Sequence, residues 1–215
     1  MPLRSYSKYF KPAIQWYFPI ESVSIMATTD IHYKAISKDT DFASSSSNPI
    51  DRRLDFCAYF LALIKTLDEK GASFEIIRTV CVEIVSNYVK PRNALHAYTK
   101  KLIPRLINTR LGLILIQSFH KRINSLGNID GFRANIITDK NQTYGLGYGV
   151  DILECGICKL FAKHNFQKYS SILCEVDEIT SSLAGLKLIR TGTIAHGASK
   201  CDFRYERINS QLKTK

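Results

Sequence analysis

Between Asp51 and Leu126 the apolar positions recur at spacings of three and four. Leu54, Phe56, Cys57, Phe60, Leu61, Ile64 and Leu67 fall on one helical stripe. Asp51 is placed to cap that helix and Gly71 to end it. Ser73 opens a second helix, with Ile76, Ile77, Val80, Val82, Ile84 and Val85 as a broad apolar face, and Pro91 closes it. A third helical region runs from about Asn93 to Leu126, interrupted at Pro104 and at Gly112. Gly127-Asn128 ends it.

After that point the period changes to two. Phe132, Ala134, Ile136 and Thr138 lie on one face of a short strand, and Asp139 to Gln142 form a turn. Thr143 to Leu153 predicts a second strand, in which Tyr144, Leu146, Tyr148 and Val150 alternate with Gly145, Gly147 and Gly149. Those glycines leave one face bare for close packing. They lack the spacing and the following helix of a dinucleotide-binding loop. Cys155 to His164 predicts a short helix and Tyr169 to Ala184 a longer one, stopped by Gly185. Leu186 to Ile194 and Cys201 to Arg207 predict two further strands around a turn at His196 to Ser199. The fold class is therefore α+β: a helical N-terminal half followed by a β-β-α-α-β-β unit with an antiparallel sheet.

Residues 1–49 fit this pattern poorly. The first 25 are aromatic and basic with no acid before Glu21, and Ser44 to Ser47 with Asn48-Pro49 reads as a linker. Residues 1–49 are thus expected to be an extension without fixed structure, and 50–215 a single domain. Hydrophobic residues make up 45% and charged residues 23% of the 215 positions, a globular balance that needs no disulfide or metal to hold its core. The longest charge-free apolar stretch, Leu111 to Phe119, is far shorter than the roughly 20 residues of a membrane-spanning helix. The N-terminus lacks the apolar segment of a secretory signal, so reduced thiols in a cytoplasmic compartment are expected.

The formal net charge is +11, but the basic residues are spread from Arg4 to Lys215. No zinc-finger, nucleic-acid or P-loop signature accompanies them, so the charge favours a small anionic ligand over nucleic acid. His32, His96, His120 and His164 show no mutual ligand spacing. Of six cysteines, Cys57 and Cys81 sit in apolar helices, whereas Cys155, Cys158, Cys174 and Cys201 come late. Four thiolates can hold a tetrahedral zinc, but a second CxxC is missing; buried packing and a functional thiol remain open beside it. Asp177 shares a helical face with Cys174. Arg190 points opposite to Thr191 and Thr193 in the expected strand, and Asp202 opposite to Cys201 and Phe203. Each of these also has an ordinary reading as a solvated helix acid, a surface cation or a strand residue.

Taken in order, Cys155-Gly156-Ile157-Cys158, Leu173-Cys174-Glu175-Val176-Asp177-Glu178, Arg190-Thr191-Gly192-Thr193-Ile194-Ala195-His196-Gly197 and Cys201-Asp202-Phe203 resemble the L-2-amino-thiazoline-4-carboxylic acid hydrolase family, over roughly residues 130–207. The resemblance implies hydrolytic opening of a small cyclic C–N/C–S compound to a carbamoyl-cysteine type product, on an amino-acid-like anionic substrate and with no required cofactor. That chemistry needs a nucleophile at the sp² carbon between sulfur and nitrogen, a proton for the leaving atom and a cation for the carboxylate. Cys174 is the expected nucleophile, Asp177 the partner of the planar N–C–N group and His196 the acid/base. Arg190 is the expected carboxylate clamp, with Thr191, Thr193 and Asp202 as further substrate-binding residues. The alternative is a non-catalytic ligand-binding or sensor domain that keeps the pocket without turnover.

Overall fold

The computed structural model describes residues 6–91, 93, 95, 98, 109–123, 127–144 and 148–208. Helices α1 (Ser7–Tyr17), α2 (Ser22–Ile36), α3 (Leu54–Glu69), α4 (Phe74–Val89) and α5 (Arg110–Ile123) precede the sheet. Strands β1 (Arg133–Ile137) and β2 (Gly149–Glu154), helices α6 (Gly156–Lys163) and α7 (Ser170–Leu183), and strands β3 (Leu186–Ile189) and β4 (Cys201–Arg207) follow. The four strands pair antiparallel in the order β1-β2-β4-β3. This is the α+β arrangement read from the sequence.

Helix α3 is the hub. Every residue from Cys57 to Ile64 is buried, as a helix that is apolar all round must be. It is wrapped by α1, α2, α4, α6 and α7, whose Phe10, Ile14, Ile25, Ile77, Val80, Ile84, Leu160, Phe161 and Ile172 complete one core. A second, smaller core lies under the sheet, where Ile123 of α5 meets Ala134, Ile136, Ile152 and Cys201.

The N-terminal segment departs from expectation. Phe10, Ile14 and Ile25 are fully buried in the same core as α3. Tyr6 and Tyr33 both donate to the Asp55 carboxylate at 2.6 Å, and Tyr59 to Asp30 at 2.7 Å. The boundary expected near residue 49 therefore does not divide two cores. The aromatic residues that made this stretch look irregular interlock ring against ring: Phe10 lies 4.7 Å from both Tyr59 and Phe60, centroid to centroid.

Several local signals behave as read. Ser73 Oγ accepts the Ile76 N–H, and Gly71 and Gly185 take the left-handed conformation that stops a helix. Others do not. Asp51 does not cap α3. It is buried and its carboxylate accepts from the Phe132 N–H at 2.8 Å and the Ser46 hydroxyl at 2.5 Å, pinning the start of the sheet to the segment before α3. Gly112 lies inside α5, its N–H bonded to Thr109 Oγ1, instead of interrupting it; Pro104 lies outside the described residues.

The second strand starts only at Gly149; Tyr144, with a positive φ of 48°, belongs to a turn ahead of it. Gly145 and Gly147 lie outside the described residues. At Gly149 a Cβ would meet the Phe203 carbonyl oxygen at 2.9 Å, so β4 approaches too closely for any side chain there. The strand expected to run to Ile194 ends at Ile189. Asp202 explains why: its carboxylate accepts from the backbone N–H groups of Thr191 and Gly192 and from the Thr191 hydroxyl, taking the donors a strand partner would use.

Candidate active site

Five stretches of chain converge on one pocket between α7, the start of α6 and the sheet. Along α7, Ser170, Leu173, Cys174 and Asp177 form a stripe at helical spacing. Helix α6 contributes Cys155, its N-cap residue, together with Ile157 and Cys158 in its first turn. Ile152 of β2, Cys201 and Phe203 of β4, and Phe132 supply the floor. The register sets that floor, since Ile152 stands opposite Cys201 and Val150 opposite Phe203. Ile50 and Arg53, just before α3, complete the wall. The pocket has a volume of about 70 Å³, several times the space one water needs.

The pocket thus gathers all four late cysteines, one carboxylate and one guanidinium among apolar walls. All six cysteines of the chain are free thiols. Their environments separate the four in the pocket. Burial, with Asp177 beside it, pushes the Cys174 thiol up to about 12. Burial likewise raises Cys201, whose sulfur accepts the Ile194 N–H at 3.2 Å. Cys155 and Cys158 share a hydrogen bond, which raises the Cys155 thiol and lowers Cys158. The first turn of α6, with its positive dipole end, favours a thiolate in the same place.

Asp177 is raised by burial, against the pull of Arg53 and then of Arg190. Arg190 donates from Nη1 to Asp177 Oδ2 and from Nη2 to the Cys174 carbonyl, each at 3.2 Å. Its guanidinium also lies over the Phe203 ring, 5.2 Å from the centroid. Arg190 is not among the residues lining the pocket.

The remaining candidates from the sequence fall outside the lining. Thr191 and Asp202 are bonded to each other in the loop clamp. Thr193 is buried, with its hydroxyl 2.8 Å from His196 Nδ1, and His196 is exposed on the turn. Of the other histidines, His32 faces Glu69, His164 faces Asp39 and His120 accepts the Ile136 N–H; His96 lies outside the described residues. Among the described residues no group of three or more His, Cys, Asp or Glu side chains is arranged to hold a metal ion. The sulfurs are turned to separate partners, Cys174 to the Ser170 carbonyl and Cys201 to the Ile194 N–H. Among the described residues no helix is long and apolar enough to cross a membrane.

Sequence reasoning missed Arg53 altogether. The local sign was a basic pair, Arg52-Arg53, directly ahead of a helix that is apolar all round.

No curated protein and no solved structure matches the chain. The family model described as L-2-amino-thiazoline-4-carboxylic acid hydrolase matches residues 53–205, a span that begins at Arg53, takes in the helices from α3 onward and closes at Tyr205 in β4. That span is well over half of the 215 residues, and it contains every cysteine and both charged groups of the pocket; the chain belongs to the L-2-amino-thiazoline-4-carboxylic acid hydrolase family.

Proposed function

We propose that this protein is a hydrolase that opens a small cyclic C–N/C–S compound, with L-2-amino-thiazoline-4-carboxylate as the first substrate to test and a carbamoyl-cysteine type product. The observation that carries the reading is the convergence of four thiols and Asp177 on one pocket. The electrophile in such a ring is the sp² carbon flanked by sulfur and two nitrogens. A carbamoyl group that stays on nitrogen requires water to add at that carbon and the carbon–sulfur bond to break, the sulfur leaving as a thiol.

Each step has a residue suited to it. Cys158 has the lowered pKa and the helix-start position of a nucleophilic thiol, and takes the role that sequence pattern alone assigned to Cys174. Attack by the Cys158 thiolate expels the ring sulfur and leaves an isothiourea linkage on the enzyme. Water then releases the product and restores the thiolate. Cys155, held protonated, keeps a proton beside the reacting atoms for the departing sulfur. Asp177 accepts from the planar N–C–N group, a geometry that suits a carboxylate. His196 has no comparable support for an acid/base role, since it lies exposed on the turn. Free thiols in the catalytic pocket suit a reducing, cytosol-like compartment.

The test is ring opening of L-2-amino-thiazoline-4-carboxylate followed by mass spectrometry, with wild type, Cys158→Ala and Cys174→Ala side by side. Turnover by wild type and Cys174→Ala but not by folded Cys158→Ala is the expected result. Ligand binding without turnover by wild type would replace the hydrolase with the non-catalytic binding domain.

A further inference from the structure

Among the residues that line the pocket, Arg53 is the single basic one and Asp177 the single acidic one. The other cations nearby are already engaged. Arg190 is tied to Asp177 and the Cys174 carbonyl, and its side chain is 11% exposed. Lys159 binds Glu154 and the carbonyls of Ile129 and Gly131. Lys200 and Arg204 both bind Asp151, on the opposite face of the sheet from Cys201. The guanidinium of Arg53, by contrast, makes no hydrogen bond and no ion pair with any described residue, although its charge acts on Asp177, Cys57 and Tyr205.

A guanidinium with no partner among the described residues, at the wall of an apolar pocket, offers a planar fork of donors that fits a carboxylate edge on. One positive and one negative group, not paired with each other, make the lining neutral as a whole. A ligand that satisfies both must itself carry an anion at one end and a cationic or amidine-like group at the other. A dianionic phosphate would leave charge unmatched, with one cation to receive it and a carboxylate close by.

We infer that Arg53, and not Arg190, binds the carboxylate of the substrate, that Asp177 binds its N–C–N end, and that the pocket is selective for small zwitterionic amino-acid derivatives. The inference rests on the reading of this pocket as the active site, but it concerns recognition and can be tested without turnover. Arg190 is then a positioning residue, which fixes the Asp177 carboxylate and the backbone of α7.

The experiment is calorimetric titration with two probes, L-2-amino-thiazoline-4-carboxylate and 2-amino-thiazoline, which lacks the carboxylate. Wild type at position 53, Arg53→Ala and Arg53→Gln, the last keeping the length of the side chain, are compared, all in the Cys158→Ala background so that the probe is bound and not opened, with circular dichroism to confirm the fold. Wild type should prefer the carboxylate probe, and both variants should bind it roughly 10- to 100-fold more weakly while binding 2-amino-thiazoline as before. Equal weakening for both probes, unchanged binding of the carboxylate in folded variants, or no binding of it by wild type would each overturn the inference. Selective binding through Arg53 in a protein that shows no ring opening would sustain the inference while the hydrolase reading fell.

Discussion

Arg190 holds Asp177 in place: two residues from different elements, the loop after β3 and helix α7, meet at 3.2 Å, with the same guanidinium also donating to the Cys174 carbonyl. Asp177 lines the pocket, and the guanidinium that holds it is packed against Phe203. Removing the guanidinium strands a carboxylate that burial already disfavours. Arg190→Ala is therefore expected to lower stability by about 2 kcal/mol, the usual scale for a hydrogen bond to a charged group. Urea unfolding measures this. A variant as stable as wild type would show that the pair is incidental.

The four thiols of the pocket should react in a fixed order. With Cys158 lowered and Cys174 pushed up to about 12, Cys158 is the thiol ionised most readily. At neutral pH, iodoacetamide should label Cys158 first, as peptide mapping would reveal. Cys158→Ala should reduce turnover at least about 10³-fold, as loss of a nucleophile does. Cys174→Ala should keep most of it. Preferential labelling of Cys174 would return the nucleophile to that residue.

Asp177 should trade stability for function. Burial raises its pKa above the ordinary carboxylate value of 3.8, so the folded protein takes up the proton more readily than the unfolded chain. The favourable contribution of the group is thus full below pH 3.8 and is lost as pH rises through the raised value. Asn does not titrate, so the melting temperature of Asp177→Asn relative to wild type should climb as pH rises from acid toward neutral. The same variant should lose affinity for an amidine-bearing ligand. A stability difference independent of pH would show that burial does not penalise this charge.

The N-terminal helices should be indispensable to the fold. Phe10 is fully buried and packs against Phe56, Tyr59 and Phe60 of α3. Phe10→Ala should cost about 3–5 kcal/mol in chemical denaturation, the range for an aromatic side chain removed from a packed core. A cost near zero would restore residues 1–49 as a dispensable extension.

What the sequence determined by itself was what depends on neighbours along the chain. The helical period over Leu54–Leu67, the cap at Ser73, the stops at Gly71 and Gly185 and the alternation from Phe132 onward are local, and they were enough for the α+β class. The stripe of Cys174 and Asp177 on one face of α7 was legible for the same reason. The ordered motifs from Cys155 to Phe203 carried the family.

Tertiary structure decided the rest. Phe10 and Ile14 look like an untidy preface until α3 brings Tyr59 and Phe60 against them. Asp202 looks like a strand residue facing a ligand until it takes the donors of Thr191 and Gly192 and ends β3 early. Arg53, 124 positions before Asp177 in the numbering, shares a pocket with it only because α3 and α7 pack on one core. Sequence spacing cannot report such a meeting, because burial and charge pairing between distant segments exist only once the chain has folded and removed both from water.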